Sequence, residues 1–265
     1  MTMILTETKP TALRAFGAVL RRDLYVTSRE LPTFLAQVIL QPFFLLFVFG
    51  RILTELGYAR AGYAQLLFPG IVGLTAVVTG LQSTAFPLVI DFSFTKEIED
   101  RLLAPLRTEL VAIEKIVYAS LRAIVACTVM IPVGILVLGS IPWRWSAAPL
   151  FVAVVVLGAL VGSTLGMVLG TLVPPNRINI MFALALTPIL FTGASQYPWP
   201  SLDKLPWFQV VTAFNPLTYV SEGLRGALVP SVRHMPPPLC VVVLCAAVLG
   251  FGWIGMRGFR RRAID

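Results

Sequence analysis

Charge is scarce in this chain. Lys, Arg, Asp and Glu make up 13% of its 265 residues, against the roughly 25% with which a soluble domain covers its surface. Hydrophobic residues reach 57% and the mean hydropathy is +0.84. The chain therefore reads as an integral membrane protein whose spans leave no room for a separate soluble catalytic domain. Reaction motifs are missing too. No Gly-Lys dipeptide occurs, which removes G-x-x-x-x-G-K-[ST] and its way of cradling nucleotide phosphates. No G-x-S-x-G is present, and Gly162-Ser163-Thr164 does not fit it. The one histidine, His234, has no Cys, Asp or Glu cluster beside it, so neither a metal site nor a catalytic residue is expected. Cys127, Cys240 and Cys245 all fall in apolar runs. Their odd number and lack of metal-type spacing argue against a disulfide framework. The start, MTMILTETKPTALRAF, does not resemble a cleaved signal peptide, lacking a basic region followed directly by an apolar core.

What is present is a series of long apolar runs. Six spans can be read, at about Thr33–Leu53, Gln65–Ile90, Ile116–Gly139, Pro149–Val173, Ile178–Ser195 and Pro238–Met256, each near the ~20 residues that cross a hydrocarbon core. Pro42, Pro69, Pro87, Pro132 and Pro188 interrupt them. Such prolines are tolerable inside a bundle, and kinks are expected at some of them. The fourth span carries Gly158, Gly162, Gly166 and Gly170. Four-residue spacing lines them up on one helix face for close approach, within the subunit or between subunits.

With the N-terminus inside, fourteen basic residues fall on inner segments and six on outer ones, with Arg122 left inside the third span. The positive-inside rule then places both termini in the cytoplasm, and the net charge of +8 mainly reflects this asymmetry. Because the basic residues flank spans, a nucleic-acid partner is not expected. Residues 11–29 read as an interfacial helix, with Leu13, Phe16, Leu20 and Leu24 on one face and Arg14, Arg21, Arg22 and Arg29 on another. Its arginines would meet anionic lipid or a cytoplasmic partner, and a plain topogenic basic cluster is the alternative. Arg122 reads best as snorkelling to the inner interface. A cavity-facing side chain remains open, with Asp91 a possible partner.

Two polar stretches stand out. Thr95–Lys115 carries nine charges in 21 residues around Ile98, Leu102, Leu103 and Leu106. That pattern puts an apolar stripe on a charged inner helix, suited either to a partner surface or to a solvated loop. The second stretch, residues 196–229, is too polar and proline-rich to cross, yet rich in Trp, Tyr and Phe. It is expected to dip into the outer interface as short re-entrant helices. Glu222 and Arg225, three apart, would face each other on a helix, as a local brace or in a gating or substrate-contact role.

In these residues the chain resembles the membrane subunit of an ABC-2-type ABC exporter, of the daunorubicin-resistance, nodulation-factor and multidrug or lipid export kind. Four features carry the likeness in order: the basic amphipathic first helix, Phe68-Pro69-Gly70, IEDRLLAPLRTELVAIEK, and LPWFQVVTAFNPLTYVSEGLRGAL with its Asn215-Pro216-Leu217 and late Arg225. The resemblance covers roughly residues 10–260. It implies an all-α polytopic protein, residues 1–265 forming a single transmembrane domain in a bacterial inner membrane. It further implies two permeases working with two separately encoded cytoplasmic ATPases. Residues 95–108 would be the coupling helix seated in a groove of the ATPase, with Glu97, Glu99, Asp100, Arg101, Leu102, Leu103 and Pro105 making the junction. Asp100-Arg101 departs from the small or apolar residues common there. ATP and Mg would be bound by the partner, and this chain would hold no cofactor and would not itself be an enzyme.

A hydrophobic or amphipathic cargo, such as a drug, lipid or lipid-linked molecule, fits the sparse polar residues of the spans. A polysaccharide or lipo-oligosaccharide is the alternative, and a proton-coupled carrier is the reading from another class. A proton-coupled carrier would want several ionisable groups along a central path, where only Arg122 and Asp91 qualify. The resemblance, together with Gln37 and Gln41 one turn apart, leads us to expect a homodimer. Its first and fifth spans, from opposite subunits, would flank a path lined by Gln37, Gln41 and Phe44.

Overall fold

The computed structural model describes residues 12–59, 62–93, 108–174 and 177–264. Among them every regular element is helical, as long apolar runs require in lipid, where backbone polar groups must be satisfied within their own segment. Helix α1 (Ala12–Arg29) leads into α2 (Leu31–Leu45), which continues as a π-helical stretch Leu46–Ile52 and a last turn Leu53–Glu55. Pro42 lies one turn before that stretch, and the loss of its N–H donor is a recognised cause of such loosening. Then come α3 (Tyr63–Ser93), α4 (Thr108–Leu138), α5 (Ala148–Leu172) and α6 (Ile178–Thr192). A 3-10 turn (Trp199–Lys204) is followed by α7 (Pro206–Ala213), α8 (Pro216–Leu228) and α9 (Pro237–Ile264).

Five helices among the described residues are long and apolar enough to cross a membrane, at Leu31–Glu55, Tyr63–Phe92, Thr108–Leu138, Trp145–Leu172 and Pro237–Ala263. The sixth expected span is the shorter α6, whose 15 residues rise only about 22 Å. It still runs beside α3. The Phe182 ring stacks on Phe86 with centroids 3.9 Å apart, and the following turn lies against Gly70. Gly70 is seven residues inside the start of α3, so that turn is recessed about 10 Å into the bundle.

Helix α3 is the axis of the fold, and α5 packs along it. The glycines of α5 make that contact inside the subunit. A Cβ at Gly162 or Gly166 would overlap the Val77 or Leu81 carbonyl of α3, and one at Gly170 would lie 3.0 Å from the Leu88 Cβ. Gly158 faces α8 instead, its Cβ position 2.9 Å from Val220 Cγ1. From the α3 side, a Cβ at Gly80 would come within 2.7 Å of the Ala159 carbonyl. Helix α4 closes the other flank through a Ser120–Ser163 hydroxyl bond of 3.0 Å. Helix α1 is held to α4 by a hydrogen bond between Thr27 and the Tyr118 hydroxyl.

The ends of α3, α5 and α9 and the start of α4 share one face of the bundle. Phe92 packs edge-on against Phe259, and Arg260 Nε lies 3.6 Å from Glu109 Oε1. Arg262 Nη1 donates to the carbonyls of Gly170 and Val173 at 3.0 and 3.1 Å, capping the open C-terminal end of α5.

Gly162→Ala is expected to cost about 2 kcal/mol or more, since an added methyl must push two backbones apart. Gly250→Ala has open space around it and should stay within about 0.5 kcal/mol. Thermal unfolding midpoints of the detergent-purified variants measure both, and equal midpoints would refute the backbone contact.

Candidate functional site

The outer end of the bundle is organised by one buried ion pair. Glu222 and Arg225 of α8 are both 0% exposed and joined through Arg225 Nη1 and Glu222 Oε1. A buried charge pair is tolerable only if it is further hydrogen-bonded, and here every side-chain nitrogen and oxygen of the pair has a partner. Glu222 Oε1 accepts from the Trp199 amide at 3.0 Å, and Oε2 from the Met235 amide at 2.9 Å. Arg225 Nη2 donates to the Ala194 carbonyl at 3.0 Å, and Nε reaches the Leu66 carbonyl at 3.4 Å. Burial pushes the Arg225 pKa down, and the neighbouring Glu222 carboxylate opposes the shift. The expected local brace thus extends to the start of α3, the turn after α6, the 3-10 turn and the strand of chain before α9.

The turn at Gly193–Ser195 shows why Phe68-Pro69-Gly70 has its composition. Ala194 is held at φ 49°, a conformation that strains a residue with a Cβ. Arg225 grips its carbonyl, and a Cβ at Gly70 would overlap Ser195. Phe68 fills the space that the missing side chain of Gly134 leaves in α4. Asn215 completes the arrangement. Its Oδ1 accepts from the Leu217 amide at 2.9 Å, capping α8 with Pro216 at the first turn. Its Nδ2 donates to the Ile189 carbonyl and the Thr192 hydroxyl at 3.0 and 2.9 Å, tying α8 to the end of α6. The four outer residues singled out by sequence, Asn215, Pro216, Glu222 and Arg225, therefore come together.

A second polar site lies nearer the opposite face, between α2, α3 and α4. Its cleft of about 330 Å³ is lined by Phe34 and Gln37 of α2, by Thr79, Gln82, Ser83 and Phe86 of α3, and by Arg122 of α4. Gln37 and Gln41 also border a smaller neighbouring space against Thr75 and Val78. Phe44 lines neither space; it is 53% exposed, packs edge-on against Phe43, and lies two turns after Gln37 on the same exposed face of α2. The snorkelling expected of Arg122 gives way to a guanidinium turned into the cleft. It lies 4.1 Å above the Phe34 ring centroid. Asp91 is not its partner, because Asp91 Oδ2 pairs with Lys115 Nζ at 2.9 Å. Lys115 takes that carboxylate because it starts seven residues closer to the end of α3. Glu97, Glu99, Asp100, Arg101, Leu102, Leu103 and Pro105 lie outside the described residues. The backbone anchors Ala194, Trp199 and Met235 carried no sequence signal, since an amide or a carbonyl is the same at every residue. Arg122 did carry one, as the single charge in mid-span.

The sequence matches the ABC-2 type transporter family over residues 14–229. Similar proteins include "Putative transport permease ycf38" of Cyanophora paradoxa, 28% identical over 218 residues that span 78% of this chain and 72% of that one. Proteins of the same name from Porphyra purpurea and Pyropia yezoensis are each 27% identical, covering 84% and 73% of this chain and 74% and 67% of their own.

Glu222→Gln leaves the Arg225 charge buried without a counter-charge and is expected to destabilise by about 3–5 kcal/mol. Asp203→Asn breaks the exposed Arg233–Asp203 pair of 2.9 Å and should cost no more than about 1 kcal/mol. Yield of monodisperse protein and its thermal midpoint distinguish the two. A Glu222→Gln protein as stable as wild type would remove the pair from its organising role.

Proposed function

The chain belongs to the ABC-2 type transporter family, and on that premise we propose that it is the permease subunit of an ATP-driven exporter powered by a separate ATPase. The family is a transmembrane component that associates with an ABC ATPase. The observation that carries the reading is the match over residues 14–229, on a helical membrane bundle whose long spans return to one basic face. Positive-inside reasoning makes that face cytoplasmic, with both termini there, in a bacterial inner membrane. The partner binds ATP and Mg.

In this reading residues 95–108 form the coupling helix. They bridge α3 and α4, whose ends share the proposed cytoplasmic face. Leu102 and Leu103 supply buried anchors. Glu97, Glu99, Asp100 and Arg101 set register and encounter rate, and Pro105 ends or kinks the helix. Residues 11–29 lie in the headgroup layer and residues 196–229 fold into the outer leaflet as re-entrant helices, within a single domain of 265 residues. The functional unit is two permeases and two ATPases. The exposed apolar faces of α2 (Leu40, Phe44, Val48) and α6 (Ile180, Leu184, Phe191) support a dimer in which the first and fifth spans of opposite subunits meet. Gln37, Gln41 and Phe44 then flank the path. Its cargo is a hydrophobic or amphipathic molecule.

Leu103→Asp tests the coupling role. The permease should still insert, while recovery of its partner ATPase in detergent pull-down falls at least about tenfold and transport stops. Glu97→Lys should do less, with an effect that shrinks in salt. Equal ATPase recovery with Leu103→Asp, and substrate-stimulated hydrolysis intact, would return residues 95–108 to a solvated loop. Single cysteines placed along residues 34–49 should crosslink between subunits, and failure at every position would exclude α2 from the dimer contact.

A further inference from the structure

We infer that the cleft around Arg122 is a binding site for the anionic headgroup, phosphate or carboxylate, of an amphiphile taken from the inner leaflet. The inference rests on the export reading for the depth of the cleft, and its chemistry stands on the residues themselves. A charge within a span costs about 2.5–3.5 kcal/mol on insertion scales and is kept where a partner offsets it. The two buried basic side chains among the described residues have such partners: Arg225 has Glu222 and Lys115 has Asp91. Arg122 has none of that kind. Among the described residues no carboxylate forms an ion pair with it, and its buried Nε has no hydrogen-bond acceptor. Its one side-chain hydrogen bond is a long 3.5 Å contact from Nη1 to the Tyr118 hydroxyl.

The rings of Phe34 and Tyr118, with centroids 4.1 and 5.7 Å from the guanidinium carbon, hold the group in place. They offset only part of the charge, since cation–π contacts are worth about 0.5–2 kcal/mol. A planar cation fixed on an aromatic face with free donors is suited to a carboxylate or phosphate. The cleft wall adds neutral donors from Gln37, Gln82 and Ser83. The rim is apolar. Phe86 and Ile90 line the cleft while remaining 37% and 45% exposed, which places hydrocarbon-compatible surface beside the polar floor. A soluble anion would have no use for that rim, whereas an amphiphile would use both. Arg122 lies seven residues, about 10 Å of helix rise, further into α4 than Lys115, within reach of an inner-leaflet headgroup.

Native mass spectrometry of the full-length permease in mild detergent tests this without the ATPase. The probes are dioleoylphosphatidic acid, dodecyl phosphate and inorganic phosphate, with dioleoylphosphatidylcholine as the zwitterionic reference. Wild type should retain one phosphatidic acid per chain about tenfold more strongly than phosphatidylcholine, and Arg122→Gln should abolish that preference. Arg122→Lys should keep part of it, as a charge without the planar fork. Retention of dodecyl phosphate as well marks a transported amphiphile, and retention of the two-chain lipid alone marks a resident one. Both outcomes uphold the anionic-headgroup site. Equal preference in wild type and Arg122→Gln overturns it, as does saturation by inorganic phosphate in competition with the lipid. Should Arg122→Gln fail to elute as folded protein, Gln82→Leu takes its place, with about a threefold loss expected and no loss counting against the site. Lost lipid preference with ATPase recruitment intact defeats this inference alone. Retained preference with no recruitment defeats the export reading alone.

Discussion

The buried Glu222–Arg225 pair is the constraint on which the outer half of the molecule depends. Two opposite charges with no solvent access survive only while further hydrogen-bond partners surround them. Here those partners are backbone groups of Leu66, Ala194, Trp199 and Met235. The chain around Leu66, around Ala194–Trp199 and at Met235 must therefore be in register with α8 at once. The positive φ of Ala194 and the absent side chain of Gly70 are local concessions to that register. Strain of this kind costs on the order of 1–3 kcal/mol and persists only where surroundings over-determine the conformation. The carbonyl grip of Arg225 and the hydroxyl of Ser221 on Gly193 at 3.1 Å provide that determination.

Below this hub, cohesion comes from contact rather than from the hydrophobic effect, which gives little net drive between helices already in lipid. The glycine seam of α5 against α3 brings backbone to backbone. It concentrates close packing on α3, α5 and α8, while the outer faces of α2, α6 and α9 keep large apolar side chains exposed. Helix α6 is fastened at two points: the Phe86–Phe182 stack and the Asn215 bonds at its end. Helix α2 lies over polar side chains of α3 and not in a glycine seam. A change of packing costs least at these two helices.

Much of this was legible in the sequence because the signals were local. Apolar run length located the five long helices, and four-residue spacing located the glycine seam. The offset of three made Glu222 and Arg225 neighbours, and Asn-Pro announced a capped helix. What escaped was set by three-dimensional neighbours. The seam could have joined two subunits, and only the juxtaposition of Gly162 with Val77 shows that it is internal. The turn after α6 is recessed onto Gly70, which no hydropathy window reports.

Arg122 and Arg225 separate what a buried charge in a membrane protein does for structure from what it leaves available. Arg122 lies inside a span and Arg225 in the outer segment between spans, and both are arginines in apolar surroundings. Arg225 has a carboxylate three residues away and carbonyls on two sides, so each of its nitrogens is engaged in holding the fold. Arg122 has aromatic rings below it and neutral side chains around it, none able to neutralise it. A structural brace would be expected to settle its charge internally, as Lys115 does with Asp91. A guanidinium supported mechanically but not electrostatically, at the edge of a cleft with an apolar rim, is arranged for a counter-charge that arrives from elsewhere. That imbalance, beside the settled charges of Arg225 and Lys115, is the feature in which structure points beyond itself to a ligand.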